Sequence, residues 1–164
     1  MRILIDGYNL IRHVPELAAL ERKDLEEGRD HLVRELAVYQ ASRGHRIWVV
    51  FDAGGSYHLG DRSEKDRGVR VIYSGQGRSA DEVIAGLCRE HRADLVVTAD
   101  RDLSGRAERE GVPSVPPQTF WEKVETEKYR RLKGLEEEED RDPDRPRRKL
   151  PKKARKRRNL IDRL

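Results

Sequence analysis

The sequence predicts a three-layer α/β domain. It would have a mostly parallel central sheet of four to five strands, helices on both faces, and a disordered basic C-terminal tail. Two observations carry the architecture. Short strand-like runs recur at 2–5, 47–51 (IWVVF), 69–73 and 95–98, and segments with apolar residues at helical spacing separate them. Strands buried on both sides and alternating with helices favour parallel pairing, with right-handed crossovers. A third observation concerns function: three of the runs end at an aspartate, Asp6, Asp52 and Asp100.

The elements follow in order. Residues 2–5 read as a buried strand ending at Asp6. Leu25, Leu32, Val33, Leu36, Ala37 and Tyr39 mark a helix that Gly44 stops. Residues 47–51 form the second strand. Residues 53–68, with Gly54, Gly55 and Gly60 among charged side chains, read as a long loop of the kind that usually carries function. The third strand is 69–73, and a glycine-containing turn leads to Ser79, an N-cap for a helix through Val83, Ile84, Leu87 and Cys88. Residues 95–98 form the fourth strand, and a short helix near 103–110 stops at Gly111. Residues 112–115 suit a fifth, edge strand, because Pro113 cannot donate to a ladder. Pro116 and Pro117 open a last helix with Phe120, Trp121 and Val124 facing inward. The composition shift near residue 127 divides the chain into a domain over 1–126 and a charged helical extension with a basic tail over 127–164.

The chain has 164 residues and a formal net charge of +4, but the charge is unevenly spread. Residues 141–164 hold 12 basic and 3 acidic residues, a net of +9, which leaves −5 for residues 1–140. The block EEEED at 136–140 precedes RPRRKLPKKARKRR at 145–158. Such a basic run neutralises phosphates by counterion release without reading sequence, so Arg147, Arg148, Lys149, Lys152, Lys153, Arg155, Lys156, Arg157 and Arg158 are candidate nucleic-acid contacts. No apolar run is long enough to span a membrane, no signal peptide is evident, and the single Cys88 excludes a disulfide framework or a multi-cysteine zinc site. A cytoplasmic location is the expectation.

A parallel sheet would bring Asp6, Asp52 and Asp100 out at one edge, and a helix starting there would add Asp81. Four carboxylates in one cleft repel one another unless a divalent cation binds them. Carboxylate oxygens suit Mg²⁺ or Mn²⁺ rather than zinc. Each aspartate by itself could equally cap a helix or start a turn.

Asp6-Gly7-Tyr8-Asn9 after the first strand resembles the DGYN signature of the NYN domain, a branch of the PIN-like ribonuclease superfamily. Val50-Phe51-Asp52-Ala53 resembles the end of that family's second strand. Ser79-Ala80-Asp81-Glu82 resembles its TADE/SADE helix start, and Thr98-Ala99-Asp100 its TSD segment, with alanine for serine. The bacterial YacP-like group is the most similar branch, over about residues 1–125. The resemblance implies a metal-dependent endoribonuclease that cleaves RNA phosphodiester bonds, and the basic arm makes ribosome-associated mRNA or rRNA the expected targets. Asp6, Asp52, Asp81 and Asp100 would then be both the catalytic residues and the ligands of Mg²⁺ or Mn²⁺.

Around these, Asn9 could orient Asp6, donate to a phosphate, or simply occupy a turn. Asp102 is an N-cap or a further ligand, and Ser79 a cap with a polar contact to the site. Arg78 and Arg101 could contact phosphate or lie solvated, and Tyr57 and His58 in the glycine-rich loop could stack on bases. Tyr8 reads as core. The competing function is a non-catalytic RNA- or ribosome-binding module with a vestigial acidic pocket. A haloacid-dehalogenase-type phosphohydrolase would need a second aspartate at position 8, which is Tyr8.

Overall fold

A computed structural model describes residues 1–53, 60–133 and 161–164. Strand β1 (Arg2–Asp6) leads into α1 (Gly7–His13), α2 (Pro15–Lys23) and α3 (Leu25–Arg43). Next come β2 (Arg46–Phe51), β3 (Arg62–Asp66), β4 (Val69–Tyr73), α4 (Ala80–Arg89) and β5 (Leu95–Val97). The chain continues with α5 (Arg101–Arg109), β6 (Ser114–Val115) and α6 (Pro117–Lys133). The sheet order is β3-β4-β2-β1-β5-β6, and every pairing is parallel except β3 with β4.

Strand alternation sorts the core into two layers. Ile3, Ile5, Ile47, Val49, Phe51, Leu95 and Val97 face Leu10, Leu17, Leu32, Leu36 and Phe120 from α1, α2, α3 and α6. Leu4, Val50, Ile72 and Val96 face Val83, Ile84, Cys88, Leu103 and Ala107 from α4 and α5. Helix boundaries follow local chemistry. The Asp24 carboxylate accepts from the Glu26 and Glu27 N–H groups at 2.7 and 3.4 Å, and Gly44 ends α3 in the left-handed conformation at φ 66°. Ser79 and Glu82 form a reciprocal capping box on α4.

Two features depart from the sequence expectation. Among the described residues the sheet has six strands, because β3 lies inside the stretch 53–68 that reads as loop. It joins β4 through Arg67 and Gly68, both at positive φ (48° and 92°), the geometry of a two-residue hairpin turn. Its sequence, RSEKD, is polar throughout, so no alternation betrays it. The same charge blunts an exposed sheet edge. The chain between β1 and α3 also folds into two helices, the second opened by Pro15 at its first position. As expected, β6 is an edge strand.

The composition boundary at 126/127 falls within α6. Residues 161–164 return to the core, where Leu164 is 2% exposed and its carbonyl accepts from the Tyr39 hydroxyl. The acidic block and basic segment lie outside the described residues. Among the described residues no helix is long and apolar enough to cross a membrane.

Candidate active site

Strand order reverses at β1: β2 lies on one side of it and β5 on the other. Ligands of open α/β sheets sit beyond the carboxyl ends of the strands at such a switch point. Asp6 ends β1, Asp52 follows β2, Asp100 follows β5, and Asp81 sits in the first turn of the crossover helix α4. A cleft of about 490 Å³ here is lined by Asp6, Tyr8, Asn9, Arg12, His13, Leu25, Asp52, Ala80 and Asp81. A larger cavity, about 600 Å³, opens at the amino ends of β2 and β4 beside Arg46 and Trp48, far from the carboxylates in the fold.

Local bonds fix three of the carboxylates. Asp6 caps α1 by accepting from the Asn9 N–H at 3.3 Å. Asp100 caps α5 by accepting from the Leu103 N–H at 2.9 Å, while its own N–H donates to the Thr98 hydroxyl at 3.1 Å. Asp52 accepts from the Ser74 hydroxyl at 3.1 Å. Each bond uses Oδ1, so capping and site duties coexist in one side chain.

Electrostatics tie the four together. Asp6 is 8% exposed, and burial pushes its carboxyl up to about 6; the neighbouring Asp81 and Asp100 push in the same direction, while the Asn9 N–H and Arg12 oppose them. Asp81 is raised by burial, then by Asp100, with Asp52 and Glu82 adding and Arg106 opposing. A cluster of like charges with raised proton affinity is a place where a cation relieves both desolvation and repulsion. Among the described residues no three carboxylate, imidazole or thiol side chains converge closely enough to chelate an ion unaided. The oxygen-only donor set fits a hydrated Mg²⁺ or Mn²⁺, which binds through one or two carboxylates, waters and substrate phosphate.

The other expected residues divide. Asn9 reaches across the cleft: its Oδ1 accepts from the Ala99 N–H at 2.8 Å and ties α1 to the segment carrying Asp100. That bond goes to the backbone, so alanine at position 99 costs it nothing. Ser79 is engaged in the capping box. Asp102 is not the cap of α5, because Asp100 takes that position; it stands exposed in the first turn. Arg78 is drawn into a 2.6 Å ion pair with Asp61 and a 3.4 Å bond to the Glu82 carbonyl. Arg101 is exposed at the start of α5. Tyr57, His58 and the arginines and lysines of 147–158 lie outside the described residues. Tyr8 is half-buried at the rim of the cleft and packs against the core, its ring edge-on to Phe51 at 5.1 Å. Sequence reasoning missed Arg12 beside Asp6 and Arg106 beside Asp81. Arg12 belongs to α1, whose existence the sequence had not shown; Arg106 lies on an expected helix whose facing was open.

A mostly parallel sheet with carboxylates gathered at its switch point defines a PIN-like α/β domain, the architecture of a nuclease superfamily. The model of the YacP-like NYN domain matches residues 3–162, and the chain belongs to that family. The "uncharacterized protein YacP" of Bacillus subtilis (strain 168) is 40% identical over 90 residues, 53% of this chain. The aligned stretch spans about half the length of that relative (51%). The crystal structure of Rae1 (YacP) from Bacillus subtilis superposes with a TM-score of 0.69 at 30% identity, covering 82% of this chain and 79% of that one. A point mutant of the same protein gives 0.68 at 29% identity over 80% of this chain and 79% of that one. The family is consistent with a ribonuclease-like domain.

Proposed function

We propose that the chain is a divalent-metal-dependent endoribonuclease. The observation that carries this reading is the placement of Asp6, Asp52, Asp81 and Asp100 together at the switch point, in a fold whose family is nuclease-like. In this reading the four carboxylates would share one or two Mg²⁺ or Mn²⁺ ions, each held directly by one or two of them and otherwise by water and substrate phosphate. The ion would acidify a bound water and neutralise charge on the scissile phosphate. The chain's own residues do the rest. Asp6 and Asp100 are oriented by the helix N-termini they cap, and Asp52 by Ser74. Asn9 fixes the spacing between α1 and the Asp100 segment. Arg12 and Arg106 moderate repulsion between the carboxylates.

The body, at −5, repels RNA, and the +9 segment over 141–164 supplies long-range attraction. A cytoplasmic RNA, on or near the ribosome, is the substrate we assign on that charge division.

The test is cleavage of RNA by purified protein in Mg²⁺ or Mn²⁺, with Asp6→Asn and Asp100→Asn as controls. Loss of cleavage in folded variants is the expected result. Wild-type cleavage by either variant refutes the site. Tight RNA binding without cleavage in any metal, and without a metal-induced rise in melting temperature, would favour the RNA-binding module instead. Mapping RNA 5′ ends in cells with active protein or Asp6→Asn identifies the substrate.

A further inference from the structure

We propose that Arg29 of α3 binds an RNA phosphate next to the scissile one. The identity of the ligand rests on the endoribonuclease reading; the need for an anion rests on the geometry around Arg29.

Beside the carboxylate cleft, Tyr8, Phe51 and Tyr73 form an aromatic ridge. Tyr8 meets Phe51 edge-on at 5.1 Å, and Tyr73 stacks on Phe51 at 5.9 Å. Three guanidiniums rest on it: Arg12 over Tyr8 at 5.3 Å, Arg62 over Tyr73 at 5.0 Å, and Arg29 over Tyr73 at 5.8 Å. Two of them are charge-compensated, Arg12 by Glu21 and Arg62 by Glu64, at 3.3 and 3.2 Å. Arg29 makes no ion pair among the described residues. Its chain neighbour Asp30 is committed to Arg67 and Arg34 at 2.8 and 3.4 Å.

Arg29 is nevertheless half-buried and held in place. Its Nη1 donates to the Tyr8 hydroxyl at 3.3 Å, and the Tyr73 ring supports its face. A guanidinium offers five N–H donors in a rigid fork that matches phosphate oxygens, and among the described residues one of them is used here. A partly desolvated, immobilised cation without a counter-charge is poised for an incoming anion. Tyr8 also lines the carboxylate cleft, so Arg29 stands one side chain outside it. A strand whose scissile phosphate lies at the carboxylates would therefore present a neighbouring phosphate to Arg29.

The experiment measures binding of the full chain to a fluorescein-labelled single-stranded oligoribonucleotide in EDTA across a salt series. Arg29→Gln should raise Kd about three- to tenfold and flatten the slope of log K against log salt by about 0.7, the signature of one lost phosphate contact. Arg29→Lys keeps the charge and loses the fork, so it should keep the slope yet raise Kd at least twofold. Arg22→Gln, at an exposed arginine of α2, should change Kd less than twofold. Wild-type affinity in both Arg29 variants overturns the proposal, as does an equal loss in Arg22→Gln. An equal loss on a labelled mononucleotide would assign Arg29 to a free phosphomonoester and overturn it too. If Arg29→Gln behaves as stated while the wild type cleaves no RNA in any metal, the phosphate contact stands and the nuclease reading falls.

Discussion

Replacing Asp6 by asparagine should stabilise the metal-free protein at neutral pH. The carboxyl is 8% exposed, and its proton affinity is pushed from the ordinary 3.8 to about 6, first by burial and then by Asp81 and Asp100. A folded-state value above the unfolded one means that the favourable contribution is complete below about pH 4. It is lost as pH rises through about 6, where the buried group must ionise. The gap of about two units corresponds to roughly 3 kcal/mol at pH 7. Asparagine is close to aspartate as an N-cap, so the bond from the Asn9 N–H survives largely intact and about 2–3 kcal/mol remains. For a chain of this length that is about 4–10 °C in melting temperature. The assay is thermal and urea denaturation of both proteins in EDTA at pH 7.5 and pH 4.5. Asp6→Asn should be the more stable at the higher pH, and the difference should shrink towards zero at the lower. Adding Mg²⁺ at about a hundred times its Kd should give the wild type about 2.7 kcal/mol and close the gap from the other side. An Asp6→Asn protein that melts below wild type at pH 7.5, or an advantage unchanged at pH 4.5, would refute the reasoning about burial and repulsion.

Other perturbations probe the frame around the site. A Cβ added at Gly7 would sit 2.3–2.9 Å from ring atoms of the fully buried Phe51, so Gly7→Ala should cost about 1–3 kcal/mol in urea denaturation; a change under about 0.5 kcal/mol would show that the ring yields freely. Asn9→Ala removes the acceptor for the Ala99 N–H and should cost about 1 kcal/mol of stability while lowering cleavage more than tenfold; parallel losses no larger than the stability change predicts would make Asn9 a plain structural tie. Tyr39→Phe deletes the hydroxyl that donates to the Leu164 carbonyl, and should cost about 1 kcal/mol and speed amide hydrogen exchange in residues 161–164; an unchanged exchange rate would mean that this bond does not hold the segment.

Much of the fold was legible because its signals are local. The runs at 2–5, 47–51 and 95–98 are apolar on both faces, as central parallel strands must be. Ser79 followed by Glu82 three residues later marks a helix start by its own hydrogen bonds. Strand β3 was not legible, because an exposed edge strand of charged residues has no hydrophobic period to detect. Leu10, Val14 and Leu17 fall at helical spacing across the short helices α1 and α2, but Pro15 interrupts the run, and the break obscured both helices and Arg12 with them. Tyr8, read as core, packs against the core and also lines the cleft rim.

The sequence by itself determined that several aspartates follow buried strands, since a strand's end and the helix cap after it are both written within a few residues. It also determined the split between an acidic body and a basic C-terminal stretch. Only the tertiary structure decided that Asp6 and Asp81 lie where burial and neighbouring carboxylates raise their proton affinity, that Asn9 reaches Ala99 ninety residues away, and that Leu164 returns to the core. It also decided that Arg29 rests between Tyr8 and Tyr73 without a carboxylate. The physical reason is that these contacts depend on strand order and helix facing. Those are set by packing two apolar layers against one sheet, and no local residue pattern encodes which distant side chains that packing will bring together.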